Sequence, residues 1–260
     1  MPVSAFKVAA FRQALQTRRI GQHFRYFPVV ASTNTMAHML GCQGEPEGTV
    51  VLADAQTAGR GQAGRAWISP PARNIYVSVL LRPTVTPTQT PIISLLAAVA
   101  LVDALGQEGV TCGIKWPNDV LIRGRKIAGI LTELETDPAA VQFVIVGIGI
   151  NVNTMPEELP EEATSLAAMG AGDCDPFELT AEVCRRFQWG YDGWMKEGFA
   201  PIRENLRQWI GGLGQPVQIT VGTEQLRGTA TDLDESGRLV VRLDSGVLRA
   251  FDMGEVTLLR

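Results

Sequence analysis

The sequence predicts an α+β body followed by a short all-β tail. Three observations carry this. Up to about residue 210, strand-like runs are interleaved with segments of helical periodicity. A glycine cluster, Gly211, Gly212 and Gly214, then interrupts the pattern. Beyond it, apolar residues alternate with polar ones at the period of a half-buried strand.

Residues 3–20 place Phe6, Ala10, Leu15 and Ile20 at roughly helical spacing and predict a short amphipathic helix. A strand-like run, 24–30, follows. Ser32, Thr33, Asn34 and Thr35 read as a helix N-cap region, because short hydroxyl and amide side chains satisfy the orphan amides of a first turn. Residues 48–53 form a buried-strand pattern, and 74–81 another. Thr90 before Pro91 predicts a helix start, and Ile92, Leu95, Leu96, Val99 and Val102 make that helix largely buried. Four strand-like runs follow at 112–115, 120–122, 126–135 and 141–150. Asp175-Pro176-Phe177-Glu178 is a capping box with proline at the first helical position. Its helix carries Leu179, Val183, Phe187, Tyr191 and Trp194, and a further helix shows Phe199, Ile202, Leu206 and Trp209. In the tail, Val217, Ile219 and Val221, then Leu239, Val241 and Leu243, predict short strands with a Ser236-Gly237 turn between, forming a small β-barrel against the body. The expected division is 1–212 and 213–260.

Composition excludes several classes. A net charge of −4 gives no overall basic field for nucleic acid or anionic membrane. Cys42, Cys112, Cys174 and Cys184 are far apart and only His23 and His38 exist, so no zinc framework is present and buried free thiols are expected. The N-terminus is no signal peptide, and the apolar run 92–102 is too short to cross a bilayer, so a cytoplasmic location is expected.

The densest chemistry lies in residues 56–67. Gly59, Gly61 and Gly64 alternate with Arg60 and Arg65, and Trp67 closes the run. Glycines let backbone approach a ligand, and arginines offer forked donors to carboxylate or phosphate. The loop reads as an anion-binding cover, or as a glycine-rich surface loop with solvated arginines. Its formal match to the dinucleotide fingerprint fails on context: a strand follows instead of a helix, and no acid stands about 20 positions on.

Three more groups accompany it. Lys115-Trp116-Pro117-Asn118-Asp119 crowd a turn between strands; Asn118 supplies the donor and acceptor that an adenine edge requires and Asp119 an oxygen ligand for magnesium, or the run is a type I or II turn. Lys126 precedes a strand in which Gly129 marks a close approach, or it is an edge lysine. Gly147 and Gly149, ahead of Asn151, clear one face of a strand for a flat ligand or for a packed helix.

In order, these motifs resemble the catalytic core of biotin protein ligases over about residues 24–260. The resemblance implies a mixed sheet flanked by helices, akin to class II aminoacyl-tRNA synthetases, and an SH3-like C-terminal barrel. It implies two steps: biotin and ATP give biotinyl-5′-AMP and pyrophosphate, and a lysine of a carboxyl-carrier domain then takes the biotin. By resemblance, Ser32, Thr33, Asn34 and Gln56 bind the ring and tail of biotin. Arg60 and Gly61 hold its carboxylate and the phosphate region, with Gln62 and Gly129 completing the biotin-facing set. Arg65 faces the polyphosphate and Trp67 packs on the adenylate. Lys126 sits beside carboxylate and α-phosphate, Asn118 and Asn151 contact adenine, and Asp119 supports Mg2+. Lys126, Arg60, Arg65 and Asp119 form the catalytic set. The expected partner is the carrier domain of acetyl-CoA carboxylase or another biotin-dependent carboxylase. Members occur as monomers and dimers, which leaves a homodimer open.

Two departures stand out. Many members carry a second arginine where this chain has Gln62, which predicts a leakier hold on the adenylate. Only 31 residues precede Ser32, too few for the winged-helix domain of the repressor members, so no operator binding is expected. The nearest rival is a lipoate or octanoyl ligase or transferase of the same core fold; a nucleotide sensor without catalysis is a more distant one.

Overall fold

The structure, a computed structural model, describes residues 3–137, 140–171 and 174–259. Five α-helices and twelve strands are assigned among them. In the body, α1 is Val3–Ala14, β1 Phe24–Phe27, α2 Thr33–Cys42, β2 Val50–Ala53, β3 Ile75–Leu81 and α3 Pro91–Gln107. Then come β4 Gly113–Lys115, β5 Asp119–Ile122, β6 Arg125–Thr136, β7 Val141–Ile150, α4 Pro176–Glu197 and α5 Ala200–Arg207. Their strands make one mixed sheet in the order β1-β2-β3-β7-β6-β5-β4, parallel only between β1 and β2.

Strand alternation decides what each face of this sheet does. On β7, Val144, Val146, Ile148 and Ile150 face the main core with Ile75, Val77, Val79 and Leu81 of β3. α3 covers that side, and α4 packs on α3 and α1 on α4. α3 is apolar almost all round, as a helix buried on every side must be. Residues 87–107 are by length and composition apolar enough to cross a membrane, but most of the segment is buried inside the protein. On the opposite face α2 lies across β2, β3 and β7, covering a smaller cluster of Ala37, Leu40, Val51, Leu80, Phe143 and Ile145. The next two β7 residues on that face are Gly147 and Gly149, where the cover of side chains stops.

The tail forms a five-stranded antiparallel sheet, β11-β10-β9-β8-β12, from β8 Pro216–Val221, β9 Glu224–Leu233, β10 Leu239–Leu243, β11 Leu248–Phe251 and β12 Glu255–Leu258. Val217, Ile219, Leu239, Val241 and Phe251 fill its inside and run into the main core. Two polar ties join it to the body: Trp116 Nε1 donates to the carbonyl of Gly237 at 3.1 Å, and Arg207 forks onto Asp232. Gly237 has φ +76°, and a Cβ there would meet Leu95 of α3 at 2.9 Å, so this turn lies hard against the buried helix.

Two expectations need correction. The first helix ends at Ala14 rather than near residue 20; Leu15 and Ile20 are buried from the following loop, and the side chain of Phe6 lies outside the described residues. The Trp116–Pro117 bond, at the start of the β4–β5 turn, is cis. Cys42 is exposed, at the last residue of α2. The other three cysteines are buried, and burial pushes Cys112 and Cys184 up to about 12 and Cys174 to about 11. These three therefore stay protonated at pH 8, and iodoacetamide should label Cys42 alone in the folded protein, a single mass addition. Labelling of a second cysteine under native conditions would contradict the packing.

Candidate functional site

The bare glycine face of β7 floors a cavity of about 310 Å³. Its walls are the start of α2, the 56–67 loop, the β4–β5 turn and β6. The motifs come together here. Ser32, Thr33, Asn34, Gln56, Arg60, Gly61, Gln62, Arg65, Trp67, Asn118, Asp119, Lys126, Gly129 and Asn151 all line this one cavity. A larger cleft of about 1120 Å³ lies between the β4–β5 hairpin and the tail sheet, touching the first at Lys115, Leu121 and Gly124. It holds none of the loop arginines, amides or glycines of the motifs, so chemistry rather than size identifies the smaller cavity as the site.

The start of α2 is built around two amide side chains, Asn34 buried and Gln56 half-buried, and two hydroxyls. Ser32 occupies the N-cap but makes no side-chain capping bond, contrary to the expectation. Gln56 takes over this work: its Oε1 accepts from the backbone amide of Thr33 at 2.8 Å and from Thr33 Oγ1 at 3.2 Å. Ser78 on β3 donates to Asn34 Oδ1 at 2.6 Å and lies 2.8 Å from Thr33 Oγ1. Asn34 Nδ2 donates to Leu131 O at 3.2 Å and Glu133 Oε2 at 2.7 Å. Buried polar groups so fully engaged hold their geometry before any ligand arrives.

The two β7 glycines have different reasons to be glycine. A Cβ on Gly147 would run into Asn34 Oδ1, so this position admits the helix start. A Cβ on Gly149 would lie 2.5 Å from Trp67 Cε2, and one on Gly129, its register partner on β6, 3.1 Å from Trp67 Cζ3. The indole thus occupies the flat slot that the sequence reserves. The packed-helix alternative holds at Gly147, while at Gly149 the flat group is the protein's own indole. Trp67 reaches the slot because the loop folds as a tight hairpin: Gly61 N donates to Arg65 O at 2.7 Å and Trp67 N to Gly59 O at 3.0 Å. Its Nε1 is buried without a hydrogen-bond partner, against the floor at Gly149.

Two of the cations, Lys126 and Arg60, are held by internal carboxylates. Lys126 Nζ lies 2.6 Å from Asp119 Oδ1 and 5.3 Å from the centroid of the Trp67 ring. That oxygen has close ionic contact but no aligned hydrogen-bond donor. Arg60 pairs with Glu133, Nη1 to Oε1 and Nη2 to Oε2, both at 3.0 Å. Arg65 is exposed and bonds back to Gln62 O at 3.4 Å. Asn118 Nδ2 donates to Ile130 O at 2.7 Å and Asn151 Nδ2 to Thr164 O at 3.0 Å, so part of each amide's capacity already holds the turn and the strand end in place. Among the described residues no group of three or more His, Cys, Asp or Glu could hold a metal by itself. Magnesium commonly uses one or two carboxylates together with substrate phosphates, so Asp119 with its unaligned oxygen fits a supporting ligand.

Sequence reasoning missed Ser78 and Glu133. Ser78 had a signal, the lone polar residue in the apolar run 75–81. Glu133 shares a strand face with Gly129 and Leu131, four residues beyond the motif glycine. Its partners, Asn34 and Arg60, are 99 and 73 positions away in sequence.

Residues 26–151 match the Biotin/lipoate A/B protein ligase family, and residues 212–259 the Biotin protein ligase C terminal domain. The chain is 37% identical over 245 residues to the bifunctional ligase/repressor BirA of Bacillus subtilis, covering 92% of this chain and 75% of that one. It is 34% identical to the biotin--[acetyl-CoA-carboxylase] ligase of Mycobacterium tuberculosis, covering 84% of each chain. Its fold superposes on the biotin protein ligase of Aquifex aeolicus in complex with biotin and ATP with a TM-score of 0.78 at 30% identity, over 92% of this chain and 99% of that one.

Proposed function

The chain belongs to the biotin protein ligase family and is an ATP-dependent biotin–protein ligase, and from that premise we propose how its own residues divide the work. The observation that carries the assignment is the convergence of four cations, a set of preorganised amides and hydroxyls, and a glycine floor on one cavity.

In the first half-reaction a biotin carboxylate oxygen attacks the α-phosphorus of ATP. The bond to the β-phosphate breaks and pyrophosphate leaves. Two anions must meet, so positive charge has to offset their repulsion. Lys126 lies between the Trp67 slot and Asp119 and serves both groups. Arg60 and the backbone of Gly61 hold the carboxylate, and Arg65 faces the polyphosphate. Thr33, Asn34, Gln56 and Ser32 hold the ring and tail of biotin, with Gln62 and Gly129 beside it. Asn118 and Asn151 face adenine. Mg2+ would be held by Asp119 together with ATP phosphates, where it neutralises charge on the polyphosphate. In the second half-reaction the ε-amine of a carrier lysine attacks the acyl carbon, the bond to AMP breaks, and the amine loses a proton. No protein nucleophile takes part. The acceptor is the carrier domain of acetyl-CoA carboxylase or another biotin-dependent carboxylase. The division into a catalytic part, 1–212, and a barrel, 213–260, follows the glycine cluster.

The purified protein with ATP and magnesium should form an adenylate with biotin and none with lipoate; adenylation of lipoate instead would overturn the reading. Gln62 gives a second expectation. The loop lacks a charge there, so Gln62→Arg should slow release of biotinyl-5′-AMP by about 3–10-fold, one charge-assisted contact's worth. Stopped-flow release rates check this, and an unchanged rate would remove Gln62 from the account.

A further inference from the structure

Glu133 belongs to none of the motifs, yet it joins two of them. It projects from β6 on the same face as Gly129 and Leu131. Its two oxygens take both terminal nitrogens of Arg60, and Oε2 also takes Asn34 Nδ2. One carboxylate thus connects the 59–67 loop to the first turn of α2. Among the described residues this is the loop's one ion pair to the rest of the protein, since Arg65 bonds back to Gln62 inside the loop. A guanidinium has five N–H donors, and two forked bonds to Glu133 leave others for a ligand.

The geometry points to Glu133 as a positioning residue for biotin: it sets Arg60 and Asn34 at the spacing that receives the two ends of the molecule, and it holds the loop folded in before substrate binds. This rests on the biotin reading of the site. Glu133 touches no reacting atom and acts through Arg60 and Asn34. Gln62 makes the tie more important here, because the loop lacks a second arginine between Arg60 and Arg65.

The test uses the full chain and two readouts. In biotin-dependent ATP–pyrophosphate exchange, Glu133→Gln should raise the KM for biotin about tenfold, the loss of one charge-assisted fork, with little change in kcat. Glu133→Asp, which keeps the charge on a shorter stem, should recover part of it. In an Arg60→Gln background the Glu133→Gln change should raise the KM by less than it does alone, because the part that acts through Arg60 is already lost. In ligand-free protein, trypsin should cut after Arg65 faster in Glu133→Gln than in wild type, a readout that needs no biotin chemistry. A wild-type KM in Glu133→Gln, or effects that multiply in the double variant, would overturn the proposal. Wild-type protein that exchanges pyrophosphate without biotin would instead overturn the reading beneath it. Should Glu133→Gln fail to fold, Glu133→Asp carries the same comparison with a smaller shift.

Discussion

Lys126→Ala is expected to cut biotin adenylation by about 10²–10³-fold while the protein stays folded, because removing one preorganised cation from a developing anionic centre has costs of that size. Lys126 is the cation that the structure places between the Trp67 slot and Asp119. The side chain is partly exposed, and its ion pair lines the cavity and belongs to neither core cluster. Its removal therefore touches chemistry more than packing. Transfer from preformed biotinyl-5′-AMP to the carrier should suffer less than adenylation, since the α-phosphate has by then already been attacked. Single-turnover measurements of the two half-reactions check this. Near-normal adenylation in Lys126→Ala would remove the residue from its role.

Gly147→Ala is expected to weaken biotin binding by about 10–100-fold, the effect of displacing one buried hydrogen-bonding group from its partner. A new Cβ would run into Asn34 Oδ1. Asn34 cannot step aside cheaply: Ser78 holds its oxygen, and Leu131 O and Glu133 hold its nitrogen. Either the amide rotates and breaks these bonds, or the start of α2 lifts. Overpacking of this kind costs about 1–3 kcal/mol of stability, so a lowered Tm should accompany the loss. Gly149→Ala makes a contrast. Its Cβ would meet Trp67, a half-buried side chain whose indole makes no hydrogen bond, so stability should hold while retention of the adenylate falls. Calorimetry of biotin binding to the two variants separates the cases; equal, unperturbed affinity in Gly147→Ala would contradict the packing.

Much of this site is legible in sequence because its most constrained parts are local. The glycine–arginine loop, the turn around Asn118 and the glycines of β7 each announce a backbone or charge requirement within a few residues. The element order is legible for the same reason, since period and capping signals such as Asp175, which accepts from the amides of Phe177 and Glu178, are short-range. What escaped depends on register and three-dimensional neighbours. That Gly129 faces Gly149, and that Trp67 fills the space between, follows from the pairing of β6 with β7 and from the fold of the loop. That Gln56 rather than Ser32 caps α2 depends on the loop passing beside the helix start. Ser78 and Glu133 are ordinary residues in ordinary strands until α2 is laid over them. α1 ends short of the expected residue 20 because Leu15 and Ile20 are buried from a loop, and burial alone mimics helical spacing.

The central claim is that biotin and ATP share the smaller cavity, under the loop and over the β7 glycines, and not the larger cleft beside the tail sheet. Amide hydrogen exchange with a non-hydrolysable analogue of biotinyl-5′-AMP tests it most directly. New protection is expected in residues 56–67 and at the start of α2, with residues 108–113 and 210–213 unchanged. Protection confined to the latter two segments, with an unaltered loop, would contradict it.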